Sequence, residues 1–319
     1  MFGEVQNVQH RSLQSGTPDN FLSNLVLCLA ARKGMVINML KIRFPEWKRK
    51  AVTLSYDDGF ITDLRLAELL KKHGMKATFN MNFGLWTDES EKDENRDKTW
   101  SKLKLSEMKR IYETGHEIAA HGLTHASFWE ITPQEIVYEI TECRKRLEHE
   151  LGTLVRGMAY PNGYKKSEEV LNIVRNCGIC YARTTVSTES YTNNFQPADW
   201  LELPATCHHD NPRLLELAES FVNTTPVFDQ NFVFYLWGHS WEFQAHDNWE
   251  VIERFAETVS GKSDVWYVTN IELYDYTTAF RSLQRSADGK IVYNPTNSKV
   301  WASSDGKDIA IAPGETVKL

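Results

Sequence analysis

From about Lys50 onward, two hydrophobic patterns alternate along the chain. Short β-branched and aromatic runs predict strands over 51–56, 76–81, 117–120, 154–160, 179–186, 232–237 and 265–268. Between them, apolar residues three and four apart predict helices. These cover Asp63–Lys72 (stopped by Gly74), 105–114, Pro133–Leu151 (proline in the first turn, Gly152 as stop), 166–176, 212–222, 247–259 and 270–283. Such alternation implies parallel strands joined by crossover helices, so an α/β sheet or barrel is expected. Residues 86–104 are polar and highly charged, which predicts a surface insertion.

The period changes after about residue 287. Runs at 291–293, 300–302, 309–311 and 316–319 are short strands separated by turns at Asp288-Gly289, Asp305-Gly306 and Pro313-Gly314. The expected organisation is an extension outside the fold over 1–40, a catalytic domain over 41–285 and a small β appendage over 286–319. The appendage is expected to act as a lid on one end of the core, with sugar or dimer contact as other uses. Met39 precedes the first ordered run as a natural start.

The net charge of −7 argues against a nucleic-acid partner. The five cysteines are scattered, and Cys177-Gly178-Ile179-Cys180 has no second pair to complete a zinc site, so buried reduced thiols and a reducing compartment are expected. No run is long enough to span a membrane. The apolar stretch 21–31 contains Ser23 and Asn24 and lacks a basic leader, so it makes a poor signal peptide and a cytoplasmic location is expected. Ten Trp and twelve Tyr would suit sugar rings, although most aromatics are expected to be core.

Candidate chemistry begins at Leu54-Ser55-Tyr56-Asp57-Asp58-Gly59, where a strand ends in two adjacent carboxylates. Burying both as anions is costly unless one binds a metal and the other works beside it. A solvated Asp-Asp-Gly turn is the plainer alternative. The second signal is His121-Gly122-Leu123-Thr124-His125, in which i and i+4 positions on a helical turn would aim both rings at one ion. With Asp58, these histidines would form a facial set that leaves positions open for water and substrate. Asp57, Asp58, His121 and His239 all fall at C-terminal strand ends, where α/β folds place their chemistry.

At these motifs the chain resembles the polysaccharide deacetylases of carbohydrate esterase family 4, the NodB homology domain. The family's T-F-D-D-G appears as Ser55-Tyr56-Asp57-Asp58-Gly59, and its H-[ST]-x-x-H as His121 to His125 with Gly122 at the Ser/Thr position. Weaker matches are Ala159-Tyr160-Pro161-Asn162-Gly163, Asp199-Trp200 and Leu236-Trp237-Gly238-His239, and the resemblance spans about 48–283. It implies a distorted (β/α) barrel. It also implies a divalent metal, expected to be zinc, on Asp58, His121 and His125, with Asp57 as general base and His239 as general acid. The Asn162 backbone N–H would stabilise the oxyanion. Tyr160, Pro161 and Trp200 fall in motifs that line the substrate cleft. His208, His209 and Trp241 follow strand ends and are further candidates to contact substrate.

Two departures stand out. The arginine that orients the base in this family falls on Ala159, with Arg156 three residues away, and one extra residue separates Leu236 from His239. The expected function is metal-dependent removal of acetyl groups, N-acetyl ahead of O-acetyl, from a poly- or oligosaccharide. Competing expectations are a metal-independent hydrolase of cyclic ureides or imides on the same fold, and an inactive carbohydrate-binding protein. The acetylated carbohydrate is the expected partner. The glycan, the linkage and the oligomeric state (a dimer being one option) stay open at this stage.

Overall fold

The computed structural model describes residues 40–86, 97–192, 197, 199–227 and 229–319. Residues 1–39 of the expected extension and 87–96 of the insertion expected at 86–104 therefore lie outside the described residues, while Leu40 belongs to the fold.

The central strands are β2 (Lys50–Asp57), β3 (Thr78–Met81), β4 (Glu117–Ala120), β5 (Gly157–Ala159), β6 (Tyr181–Ser187), β7 (Leu203–Ala205), β8 (Cys207–His208), β9 (Phe232–Gly238) and β10 (Val265–Tyr267), following β1 (Lys41–Arg43). All pairings in this sheet are parallel, in the order β7-β6-β5-β4-β3-β2-β9-β8, with β10 beside the first half of β2. One extended segment closes the ring. Leu203 pairs with Arg183 of β6, while Cys207 and His208 pair with Leu236 and Trp237 of β9. Between them the Thr206 N–H donates to Tyr235 O at 2.8 Å. The expected distorted barrel is the observed architecture. The strand end expected before His208 is two short strands, β7 and β8, with His208 the last residue of the second.

The helices are α1 (Asp63–Lys72), α2 (Leu105–Glu113), α3 (Pro133–Leu151), α4 (Glu168–Asn176), α5 (Leu214–Asn223), α6 (Ser240–Ala245), α7 (Glu250–Val259) and α8 (Asn270–Arg281). Local chemistry sets several boundaries. Thr132 and Glu135 form a capping box at the start of α3, and Gly152 ends it at φ 65. Thr269 and Glu272 cap α8 in the same way. The helix expected over 247–259 is α7, which starts three residues later, and the short α6 before it, ended by a turn in which Asp247 takes φ 50, had not been expected.

Strand alternation divides the interior. Val52, Leu54 and Tyr56 of β2 and Phe232, Phe234 and Leu236 of β9 pack in the main core with the helices. Ala51, Val233, Tyr235 and Tyr181 face a second cluster with α8. Along the same parity run Thr53, Ser55, Asp57 and Arg183, all buried, so the inner face turns polar towards the C-terminal strand ends. Asn270 reaches in from the start of α8, accepting from Thr53 Oγ1 at 2.8 Å and donating to Tyr235 OH at 2.6 Å.

The appendage consists of two antiparallel three-stranded sheets. One is β11 (Gln284–Arg285), β12 (Ile291–Tyr293) and β15 (Thr316–Lys318); the other is β13 (Val300–Ser304) and β14 (Lys307–Ile311) with β1 from the opposite end of the described chain. Leu40, Val292, Ala302 and Ile311 form its core. Pairing of β1 with β13 is a long-range contact that a local hydrophobic pattern does not report.

A tight approach inside the ring yields one stability prediction. An added Cβ at Gly157 would lie 2.1 Å from Tyr181 Cζ and 2.3 Å from its hydroxyl. Tyr181 is fully buried and donates to Glu117 Oε1 at 2.7 Å, so the ring has no room to yield. Gly157→Ala is expected to cost about 1–3 kcal/mol by overpacking. Urea denaturation checks this, and a midpoint equal to that of the parent protein would refute it.

Candidate metal centre

The site lies at the C-terminal rim of the strands. Asp57 is the last residue of β2 and only 2% exposed. Asp58 follows with φ 84, a strained conformation for a non-glycine residue that turns its carboxylate out of the strand line. His121 comes directly after β4 and is buried, while His125 sits in the following loop with φ 63. The two histidines do not lie on a helical turn, as their spacing had suggested. The strand end fixes the first and a left-handed residue turns the second back towards it, so the rings meet edge to face at 4.8 Å.

His121 Nε2 lies 3.7 Å and His125 Nε2 3.4 Å from Asp58 Oδ1. Tetrahedral bonds of about 2.0–2.1 Å place neighbouring donor atoms about 3.3–3.4 Å apart, so this spacing fits one divalent cation. His121 Nδ1 faces Ala159 O at 2.9 Å, which puts the proton on Nδ1 and leaves the Nε2 lone pair for an ion. Burial also pushes the pKa of His121 down, against the pull of Asp57 and Asp58, and so favours the neutral ring a ligand needs. Asp58 Oδ2 accepts from Trp241 Nε1 at 3.3 Å and Oδ1 from Asn82 Nδ2 at 3.1 Å.

Asp57 Oδ2 is 3.8 Å from His121 Nε2 and 4.0 Å from His239 Nε2. Its other oxygen accepts from Asn80 Nδ2 at 2.8 Å, and Arg183 donates to Oδ2 in a close charge-assisted contact. Burial alone would raise the pKa of this carboxyl. The Arg183 guanidinium, helped by His121 and His239, outweighs burial and holds it below the ordinary carboxylate range. His239 precedes α6, and its Nδ1 faces Glu242 Oε2 at 3.2 Å. Burial opposes protonation of His239, but Glu242, Asp57 and Asp58 together raise its pKa.

Arg183 is the residue that the sequence reading missed. Arg156 does not substitute for the arginine absent at Ala159, because it forms a two-pronged ion pair with Asp275 at 2.7 and 2.8 Å. Arg183 of β6 is the direct register partner of Ala159 of β5, so the guanidinium enters from the next strand along. It is 1% exposed and stacks over Trp237 at 4.3 Å. An arginine on the inward parity of an apolar strand needs a buried anion, and that was the available signal.

Glu139 was missed too. It interrupts the buried stripe Ile136, Ile140, Cys143 and Leu147 of α3. Its carboxylate accepts from the backbone N–H groups of Leu123 and Thr124 at 2.7 and 2.8 Å and from Thr124 Oγ1 at 2.7 Å, so it holds the loop between the two histidines. Gly122 in that loop has φ 67, and an added Cβ would lie 3.1 Å from both Glu139 Oε2 and Pro161 Cγ. The glycine therefore suits this version of the motif.

The expected substrate residues separate into two groups. Trp241 lies beside the triad, tilted against the exposed Trp100 at 4.9 Å and near His239 at 5.5 Å. His208 and His209 lie next to Glu242. Asn162, at φ 58, braces the loop by donating from Nδ2 to His125 O at 3.2 Å and Ser127 Oγ at 2.9 Å. Tyr160, Pro161 and Trp200 are buried instead. The Tyr160 hydroxyl is used by Leu201 O at 3.0 Å, and Trp200 packs edge-on against Tyr274 at 5.2 Å. Asp199 caps Leu201 N and pairs with Arg175, and the carboxylate that faces His239 Nδ1 is Glu242.

Residues 45–182 match the family described as polysaccharide deacetylase. No curated protein matches the chain. Among solved structures, a Mycobacterium smegmatis protein assigned as a polysaccharide deacetylase superposes with TM-score 0.56 at 17% identity, covering 78% of this chain and 98% of that one. A family 4 acetyl xylan esterase from Clostridium thermocellum, solved with cobalt, gives TM-score 0.46 at 17% identity, with 72% and 92% covered. The Streptococcus pyogenes deacetylase PplD gives TM-score 0.37 at 24% identity, and the match spans 42% of this chain and 55% of that one. At 17% identity the likeness to the Mycobacterium smegmatis structure bears on the fold alone.

Proposed function

We propose that the chain is a polysaccharide deacetylase, as the family match over residues 45–182 suggests: a metal-dependent hydrolase of acetyl groups on a carbohydrate, acting on N-acetyl groups in preference to O-acetyl groups. The observation that carries this reading is the position of His121 Nε2, within 3.7–3.8 Å of both Asp58 Oδ1 and Asp57 Oδ2, which sets a ligand group directly against a candidate base. Asp58, His121 and His125 would hold the ion, with zinc the best match to two neutral imidazoles and one carboxylate. Such an ion lowers the pKa of water and polarises a carbonyl.

The chain's own residues supply the rest. Asp57, held ionised by Arg183, takes a proton from the attacking water. His239, whose protonated form Glu242 favours against burial, gives a proton to the departing amine or alcohol, and His239 and Asp57 face each other across 4.0 Å. The Asn162 N–H, without a partner among the described residues, is the proposed backbone donor to the developing oxyanion. Trp241 and Trp100 offer an aromatic wall beside the triad for a sugar face. No helix among the described residues is long and apolar enough to cross a membrane.

The test is acetate release from a panel of N- and O-acetylated oligosaccharides, using protein stripped with a chelator and refilled with zinc. Activity is expected to disappear on stripping and return on refilling. Acetate release unchanged by full stripping would refute metal dependence, and no release from any member of the panel would refute the deacetylase reading.

A further inference from the structure

A second group of metal-ligand side chains lies outside the triad. His208 and His209 end β8 and follow it, and Glu242 sits in the first turn of α6. His208 Nε2 is 3.3 Å and His209 Nε2 3.1 Å from Glu242 Oε2, and the three donor atoms lie within 4.8 Å of one another. We propose that His208, His209 and Glu242 form a second divalent-cation site, suited to zinc.

The spacing is the first argument. Donor atoms on a tetrahedral zinc stand about 3.3–3.4 Å apart, and these contacts match that edge as closely as those of the triad do. The number of groups aimed at one atom is the second. Glu242 Oε2 faces His208 Nε2, His209 Nε2, His239 Nδ1 at 3.2 Å and the His239 backbone N–H at 3.3 Å. One carboxylate oxygen has lone pairs for about two good donors. A cation between the two imidazoles and the carboxylate uses the convergence without requiring every ring to donate.

The third argument lies behind the ligands. His208 Nδ1 faces Asp210 Oδ1 at 2.5 Å and, at the longer 3.3 Å, the Asp210 backbone N–H; the closer carboxylate favours a proton on Nδ1, the carboxylate–histidine pairing of a metal-ligating imidazole. His121 has the equivalent partner in Ala159 O. His209 is 3% exposed and held between Tyr56, stacked at 5.8 Å, and Phe243 at 4.1 Å. A Cβ at Gly238 would lie 2.1 Å from its Nδ1, so the glycine makes room for the ring and keeps its Nε2 on Glu242. Such packing builds in advance the geometry that a ligand group needs. The site shares Glu242 with His239, so its occupancy would act directly on the ring proposed as general acid.

The test counts metal and does not depend on acetate release, so it stands apart from the proposed activity. Full-length protein is stripped with a chelator, titrated with zinc, freed of excess by gel filtration and assayed for bound metal. Two equivalents are expected in the parent protein, and one each in His208→Ala, Glu242→Gln and His121→Ala. The first two should lose one site and the third the other. Glu242→Gln is nearly isosteric, and circular dichroism identifies any variant that does not fold. Folded His208→Ala and Glu242→Gln that both retain all the zinc of the parent protein, whether one equivalent or two, would overturn the proposal, whereas a loss confined to His121→Ala would speak only for the triad.

Discussion

Asp57→Asn is expected to lower kcat/KM for acetyl hydrolysis by about 10²- to 10⁴-fold, the usual contribution of a positioned general base. Zinc bound at the triad should not change, because Asp57 is not among the three proposed ligands and asparagine keeps the shape. Asn80 and Arg183 donate to different oxygens of Asp57, so the asparagine carbonyl can accept from one of them while its NH2 group faces the other donor. Arg183 would lose its counter-charge, which lowers stability, so the rate must be measured on protein shown to be folded. Metal content and steady-state kinetics on the same sample separate the outcomes. A rate within a factor of three of the parent, with zinc retained, would remove Asp57 as the base.

Arg183→Met is expected to destabilise the fold by about 3–5 kcal/mol, because it leaves a buried carboxylate without its partner. Both side chains are at most 3% exposed, so water cannot replace the lost guanidinium. The same substitution should alter the pH profile. Arg183 is the strongest influence holding the Asp57 pKa down, against the upward push of burial. Without it, Asp57 is protonated at higher pH, and the acidic limb of kcat/KM moves upward. Arg183→Lys keeps the charge but not the planar fork, so it should fall between the two. An acidic limb unmoved in folded Arg183→Met would show that Arg183 serves packing alone. The stability contribution has the matching sign: it is present above the unfolded-state pKa of Asp57 and is lost as pH falls through the lower folded-state value.

Several site features were legible before any coordinates. Asp57, Asp58, His121 and His239 lie at strand ends, and strand ends follow from local hydrophobic runs and the glycines after them. The approach of His125 to His121 was expected from spacing, but for the wrong local reason. A helical turn would align residues four apart, whereas here a left-handed residue at His125 and the brace of Glu139 do so. Trp200 and Tyr160 were read as cleft residues from motif position. Their burial depends on which distant neighbours cover them, and the sequence around each does not contain that.

The chain's pattern of apolar residues by itself determined the alternating elements and hence parallel strands in a sheet or barrel, and it put Asp57, Asp58, His121 and His239 at strand ends. These follow from side-chain period and turn chemistry, which act over a few residues. Only the tertiary structure decided that Arg183 reaches Asp57, that Glu242 faces three histidines, and that β1 completes the appendage sheet beside β13. Each of those depends on cross-strand register or on segments far apart in sequence. Such contacts form only when the whole ring closes, and no local preference encodes them.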